Sequence, residues 1–201
     1  MSIEFESPKP IVQTQFVLKT VAEEMMRSKS RYFDEHEHEI PWDYIEFMQT
    51  AMKAMGAGSL APKEKGNGHD GAEPKEKRTP IAYQSLAVQI EMLSWGDAGF
   101  YLITPGGGLG AAAVQAAGTP EQKAKFLARF AEEKPTFAAM CMTEAGAGSD
   151  TSAIRARAVL DEATKEWVIN GEKIFVTAGD KSFTEYEKLG KGFIVVWASI
   201  D

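Results

Sequence analysis

The chain changes its hydrophobic period once, at Pro135, and that single change limits the folds open to it. Before Pro135 apolar residues recur at helical spacing; after it they alternate. The first predicted helix, Ile11 to Met26, puts Ile11, Leu18, Val21, Ala22 and Met25 on one face, with Val12 and Phe16 beside it. Pro41 opens a second, Trp42 to Met55, whose stripe is Trp42, Ile45, Met48, Met52 and Met55; the methionines read as core filler. Ile81 to Leu93 predicts a third, with Ala82, Leu86, Ile90 and Leu93 inward. Thr119-Pro-Glu-Gln122 is a helix start with three agreeing signals: a hydroxyl N-cap, proline at the first position and Gln three residues after the cap. That helix runs to about Ala131.

Past Pro135, Phe137, Ala139 and Cys141 alternate with Ala138, Met140 and Met142. Ile154, Ala156, Ala158 and Leu160 alternate with Arg155, Arg157 and Val159. A polar turn at 161–165 leads to a strand over 167–169. Asn170-Gly171 then predicts a tight hairpin with 173–176 returning, and 193–199 gives one more strand. The fold class is therefore α+β: an all-α N-terminal domain over 1–135, then an incomplete antiparallel β-barrel or sandwich over 136–201. The β part has too few strands to close. Between them in character, residues 56–79 hold glycine, proline, lysine and glutamate with almost nothing apolar, which predicts a mobile loop.

A formal net charge of −7 excludes a general nucleic-acid binder, which needs a basic face. The one cysteine, Cys141, rules out an intrachain disulfide and a cysteine-rich zinc site. His36 and His38 stand two residues apart and do not share a helix face, so no metal site is expected. Residues 98–120 carry no charge, but Pro105 and a run of glycines make them too weakly apolar for a membrane span. With no basic-then-apolar leader, the expected location is cytoplasmic. Gly106, Gly108 and Ala111 fit the dinucleotide-binding spacing G-x-G-x-x-A. Helical patterns flank them on both sides, so a glycine-rich bend between packed helices is the preferred reading.

The chemistry is expected at Met140-Cys-Met-Thr-Glu-Ala-Gly-Ala-Gly-Ser-Asp150. A strand breaks there into a glycine-spaced turn that exposes Thr143, Ser149 and main-chain N–H groups. Glycine lets backbone donors approach a ligand closely. Alone, the turn fits an ordinary polar β-turn equally well.

Taken with Trp167-Val-Ile-Asn-Gly-Glu-Lys-Ile-Phe-Val-Thr177, the segment Thr143-Glu-Ala-Gly-Ala-Gly-Ser-Asp150 resembles the acyl-CoA dehydrogenase family of flavoenzymes. Ala145 stands where the family usually has proline. The run Gly118-Thr-Pro-Glu-Gln-Lys123 and the helical layout agree with it too. The resemblance implies FAD as cofactor, with Met140, Met142, Thr143, Gly148, Ser149, Phe175, Val176 and Thr177 at the flavin. Ser149 also lies near the acyl-CoA thioester. It implies α,β-dehydrogenation of an acyl-CoA, an electron-transfer flavoprotein as electron acceptor, and a homo- or hetero-oligomer. The family's catalytic base is a glutamate in a C-terminal four-helix domain, and nothing here matches it; Glu144 and Glu172 are not candidates. The expectation is a fragment or one part of a split enzyme, the alternative a non-catalytic flavin- or acyl-CoA-binding subunit.

Overall fold

A computed structural model describes residues 7–54, 81–106, 108–183 and 186–200. The loop expected over 56–79 lies outside them, as do Met55 and the side chain of Ala82. The described residues form two compact units, one from 7–47 and 81–104, the other from 48–54 and 105–200. Secondary structure changes character near Pro135, as the hydrophobic period predicts. The packing units divide earlier, at 104/105, so the last helices pack with the strands.

In the first unit, α1 (Lys9–Val21) runs without a break through a π-helical turn (Ala22–Arg27) into α2 (Ser28–Glu35). The predicted helix stopped at Met26. It continues because residues 28–35 contain no breaker and Phe33 finds an edge-on partner in Phe100, with centroids 5.3 Å apart. Asp34 and Glu35 are thus helical; His36 ends the helix, its ring stacked on Tyr32.

The π turn faces Gly96, the last residue of α4 (Ala82–Gly96). Ala22 and Met26 are fully buried there, and a Cβ on Gly96 would lie 2.8 Å from the Ala22 Cβ. Only the C-terminal half of α4 is buried: Leu93 is inward as predicted, whereas Leu86 and Ile90 are exposed. Asp97 then caps α5 (Ala98–Leu102), accepting from the Phe100 N–H at 2.8 Å and from the Ser30 hydroxyl. Residues 98–102, upstream of Gly106, are thus helical, and among the described residues no strand precedes the glycines there as a dinucleotide fold requires.

Tyr44, on α3 (Trp42–Ala54), is fully buried beside Phe100, and its hydroxyl meets Thr104 Oγ1 at 2.7 Å. Burial pushes its phenol up to about 12.

In the second unit, α6 (Gly108–Ala117) and α7 (Pro120–Leu127) cover β1 (Ala138–Cys141) and β4 (Phe193–Val196). Ala111, Leu127, Phe130 and Ala138 form the core, with Val114 and Phe193 packed against it. The capping box at Thr119 is formed: Gln122 N–H donates to Thr119 Oγ1 at 3.2 Å, and Thr119 N–H to Gln122 Oε1 at 2.9 Å. Gly110 lets α6 lie on the strand, since a Cβ there would come 2.6 Å from the Ala138 carbonyl oxygen.

β2 (Arg157–Asp161) and β3 (Glu166–Asn170) form the predicted hairpin, antiparallel, with Val159 opposite Val168. The other pairings correct the all-antiparallel expectation. β4 runs parallel to β1, and β5 (Ser199–Ile200) parallel to β2. The cause is connection length: β4 returns to β1 after a long excursion, which permits a parallel crossover that a two-residue turn forbids. Both sheets are small and open. Asn170-Gly171 does not make a hairpin either. Gly171 takes φ +152 and passes so close to Ala156 that a Cβ would sit 2.6 Å from the alanine Cβ; 173–176 then leave the sheet. Among the described residues no helix is long and apolar enough to cross a membrane.

The contrast between two glycines tests this packing. Gly110→Ala is expected to cost about 1–3 kcal/mol in urea unfolding, because backbone cannot yield to the new methyl. Gly146→Ala, where a Cβ meets nothing within 4 Å, should leave stability unchanged.

Candidate functional site

β1 carries the chain into the turn that the sequence singled out. The Glu144 N–H donates to the Ala147 carbonyl at 2.9 Å and the Ala147 N–H returns to Glu144 at 3.1 Å, closing a tight loop over Ala145 and Gly146. Ala147 is buried beneath it. Gly148 and Ser149 are exposed, and a Cβ on Gly148 would meet nothing within 4 Å. Asp150 ends the turn by capping the short helical segment Thr151–Ala153 through the Ser152 N–H at 3.1 Å.

The second motif is brought against the first by one main-chain bond, from the Ile174 N–H to the Thr143 carbonyl at 2.9 Å. This places Phe175 beside the turn. Phe175 is 86% exposed and sits at φ +58; Ala178 follows at φ +56. A left-handed non-glycine residue costs roughly 1–2 kcal/mol, and two such residues flank Val176 and Thr177. Strain of this kind collects where a chain holds side chains for a ligand.

Between the motifs lies an ion pair that the sequence reading missed. Lys173 Nζ stands 2.8 Å from Glu144 Oε1 and 2.9 Å from the Met142 carbonyl oxygen. The two side chains are only 7% and 9% exposed. The carboxylate also accepts the Arg155 N–H at 2.8 Å and the Ala156 N–H at 2.9 Å. Lys173 first, then these two N–H groups, lower the Glu144 pKa to about 2. A carboxylate so held is a poor general base. Burial raises the Cys141 thiol while the Lys173 charge pulls it the other way. Periodicity could not pair two residues 29 apart. The available signal was a glutamate beside the hydroxyl of one motif and a lysine two before the aromatic of the other.

Of the predicted site residues, Met140, Met142 and Thr143 are half-buried at the strand end and Val176 is half-buried across from them. Gly148, Ser149, Phe175 and Thr177 are exposed. The Thr143, Ser149 and Thr177 hydroxyls make no hydrogen bond to another described residue. Exposed hydroxyls, open space over two glycines and a projecting aromatic ring are what a flat, heteroatom-rimmed ring such as a flavin requires. The residues present fit that group. The glycines at 106, 108 and 110 have local roles instead: Gly106 and Gly108 take φ +138 and +44, Gly110 lets α6 approach β1, and the Gly106 N–H bonds to the Thr136 carbonyl at 3.1 Å.

Glu144 also predicts an acid limb. Its folded-state pKa lies below the ordinary 4.5, so its contribution to stability is complete above that value and disappears as pH falls toward about 2. Urea unfolding measured down this range should show the parent's advantage over Glu144→Gln shrinking steadily; a constant difference would contradict the assignment.

The pattern described as acyl-CoA dehydrogenase, N-terminal domain, matches residues 13–134, and that of the acyl-CoA dehydrogenase middle domain matches 139–184. A probable medium-chain specific acyl-CoA dehydrogenase 2, mitochondrial, from Caenorhabditis briggsae is 32% identical over 159 residues, covering 79% of this chain and 34% of the relative. An acryloyl-CoA reductase (NADH) from Anaerotignum propionicum is 31% identical over 172 residues, 81% of this chain and 40% of the relative. A glutaryl-CoA dehydrogenase from Mycobacterium smegmatis, solved in complex with FADH2, superposes with a TM-score of 0.65 at 21% identity, covering 97% of this chain and 44% of that one. The chain thus spans less than half the length of each of these relatives.

Proposed function

The chain belongs to the acyl-CoA dehydrogenase family, and from that premise we propose that Met140, Met142, Thr143, Gly148, Ser149, Phe175, Val176 and Thr177 form one wall of an FAD site. The observation that carries this reading is the junction of the two motifs. One bond from Ile174 to Thr143 puts unengaged hydroxyls and an exposed aromatic ring on adjoining segments. When bound, FAD supplies the acceptor for the β-hydride of an acyl-CoA thioester.

The wall's part is orientation and charge. Thr143 would hold the pyrimidine side of the ring and Thr177 the side of its reactive nitrogen, and fixed donors there would stabilise negative charge without reorganising. Phe175 packs on the flavin. Ser149 stands where the thioester end of the substrate runs. The α-proton is taken by a carboxylate outside these 201 residues, carried by a further part of the protein or by a second polypeptide. Glu144 is excluded from the role because Lys173 and two backbone N–H groups already occupy it. The electrons leave through an electron-transfer flavoprotein. The names of the two relatives, a dehydrogenase and a reductase, support a redox reaction at the α,β-bond of a CoA thioester.

An absorbance and fluorescence titration with FAD, on the chain alone and with any co-encoded partner, tests the proposal. Saturable uptake with the yellow flavin bands is expected. Bleaching on addition of an acyl-CoA separates an enzyme from a non-catalytic flavin- or acyl-CoA-binding subunit. Gly148→Val is the diagnostic variant: its side chain enters open space, so the fold should persist while FAD affinity falls by about tenfold or more. Unchanged affinity in that variant, or no uptake under any condition, sinks the reading.

A further inference from the structure

We propose that Glu144 and Lys173 are positioning residues for this site: their buried pair fixes where Thr143 and Phe175 stand, and so sets cofactor affinity without either side chain touching the cofactor. The inference rests on the flavin-wall reading and deepens it.

The bonding pattern carries the argument. Lys173 grips the Met142 carbonyl and the Glu144 carboxylate, the residues on either side of Thr143. The peptide of Thr143 is thereby held from both ends by one ammonium. Lys173 also precedes Ile174, whose N–H reaches back to the Thr143 carbonyl, and Ile174 precedes Phe175. A shift of the lysine therefore moves the hydroxyl and the aromatic ring together. On its other side the carboxylate accepts the Arg155 and Ala156 N–H groups, tying the pair to the start of β2. Three stretches distant in sequence meet at one charge pair.

An ionised pair satisfies the arrangement where neutral substitutes of similar size do not. The carboxylate accepts from three donors. Glutamine at 144 would turn an NH2 toward at least one of them, leaving a buried donor facing a donor. Methionine at 173 would leave a buried carboxylate without its countercharge. The polar atoms of both side chains are taken up within the protein, so the pair acts on a ligand through the backbone that it holds.

The test compares the full parent chain with Glu144→Gln, Lys173→Met and, as a control, Lys165→Met. Lys165 pairs with Glu162 at an exposed position in the same unit. Two readouts are taken: amide hydrogen exchange without ligand, and titration with FAD with the visible spectrum of the bound form. In Glu144→Gln the Ile174, Arg155 and Ala156 amides are expected to exchange about tenfold faster or more, with α6 amides unchanged. FAD should bind about tenfold more weakly, and its visible band should shift. Lys165→Met should match the parent throughout. Glu144→Gln is the milder change and stands as the test where Lys173→Met does not fold. Parent-like FAD affinity and spectrum in Glu144→Gln overturn the proposal. So does faster exchange spread evenly over the chain, which marks a merely structural role. A parent that takes up no FAD overturns the flavin reading. Exchange tests the clasp separately: Ile174, Arg155 and Ala156 amides no faster in Glu144→Gln than in the parent overturn the positioning role itself.

Discussion

A lysine and a glutamate buried against each other hold the site together. A buried charge is tolerated only when paired and hydrogen-bonded, since isolated ions lose far more on leaving water than one contact returns. Here Glu144 accepts from Lys173 and two backbone N–H groups, and Lys173 donates to Glu144 and the Met142 carbonyl. That saturation lets ionised groups sit beneath a surface turn. It also explains why Glu144, a carboxylate beside the candidate site, is unfit to move protons.

Around the pair the chain is built in two manners. Below the turn it is closely packed: Ala147 and Ala156 are buried, and Gly171 passes over Ala156 where no Cβ would fit. Above it the chain is open, with free space at Gly146 and Gly148, and Phe175 projects from a left-handed backbone. A surface that spends conformational energy to expose an aromatic ring gains nothing from burial, so its compensation comes from a ligand or from a covering segment. The three hydroxyls on these two adjoining segments favour a ligand with heteroatoms at its rim.

Local chemistry was legible in the sequence. The capping box at Thr119 needs only neighbouring residues, and it formed as read. The β2–β3 hairpin followed from alternation and a polar turn, and the two motifs marked the segments that meet. What escaped was settled by distant partners. Tyr44 enters the core because Thr104 takes its hydroxyl, sixty positions away. The first helix runs on to Glu35 because Phe33 finds Phe100. Asn170-Gly171 has the composition of a hairpin turn, yet the Ile174 N–H is claimed by Thr143 and the strand that would have returned is drawn off. Parallel pairing of β1 with β4 and of β2 with β5 was invisible for the same reason. Alternation reports which face of a strand is buried and carries no record of its direction.

Chemical-shift mapping of the 15N-labelled chain on addition of FAD tests the central claim most directly. The account predicts perturbations concentrated in 142–149 and 174–178, with smaller ones at 155–156, where the clasp meets β2. Perturbations centred on 106–111, or none at saturating FAD, would contradict it.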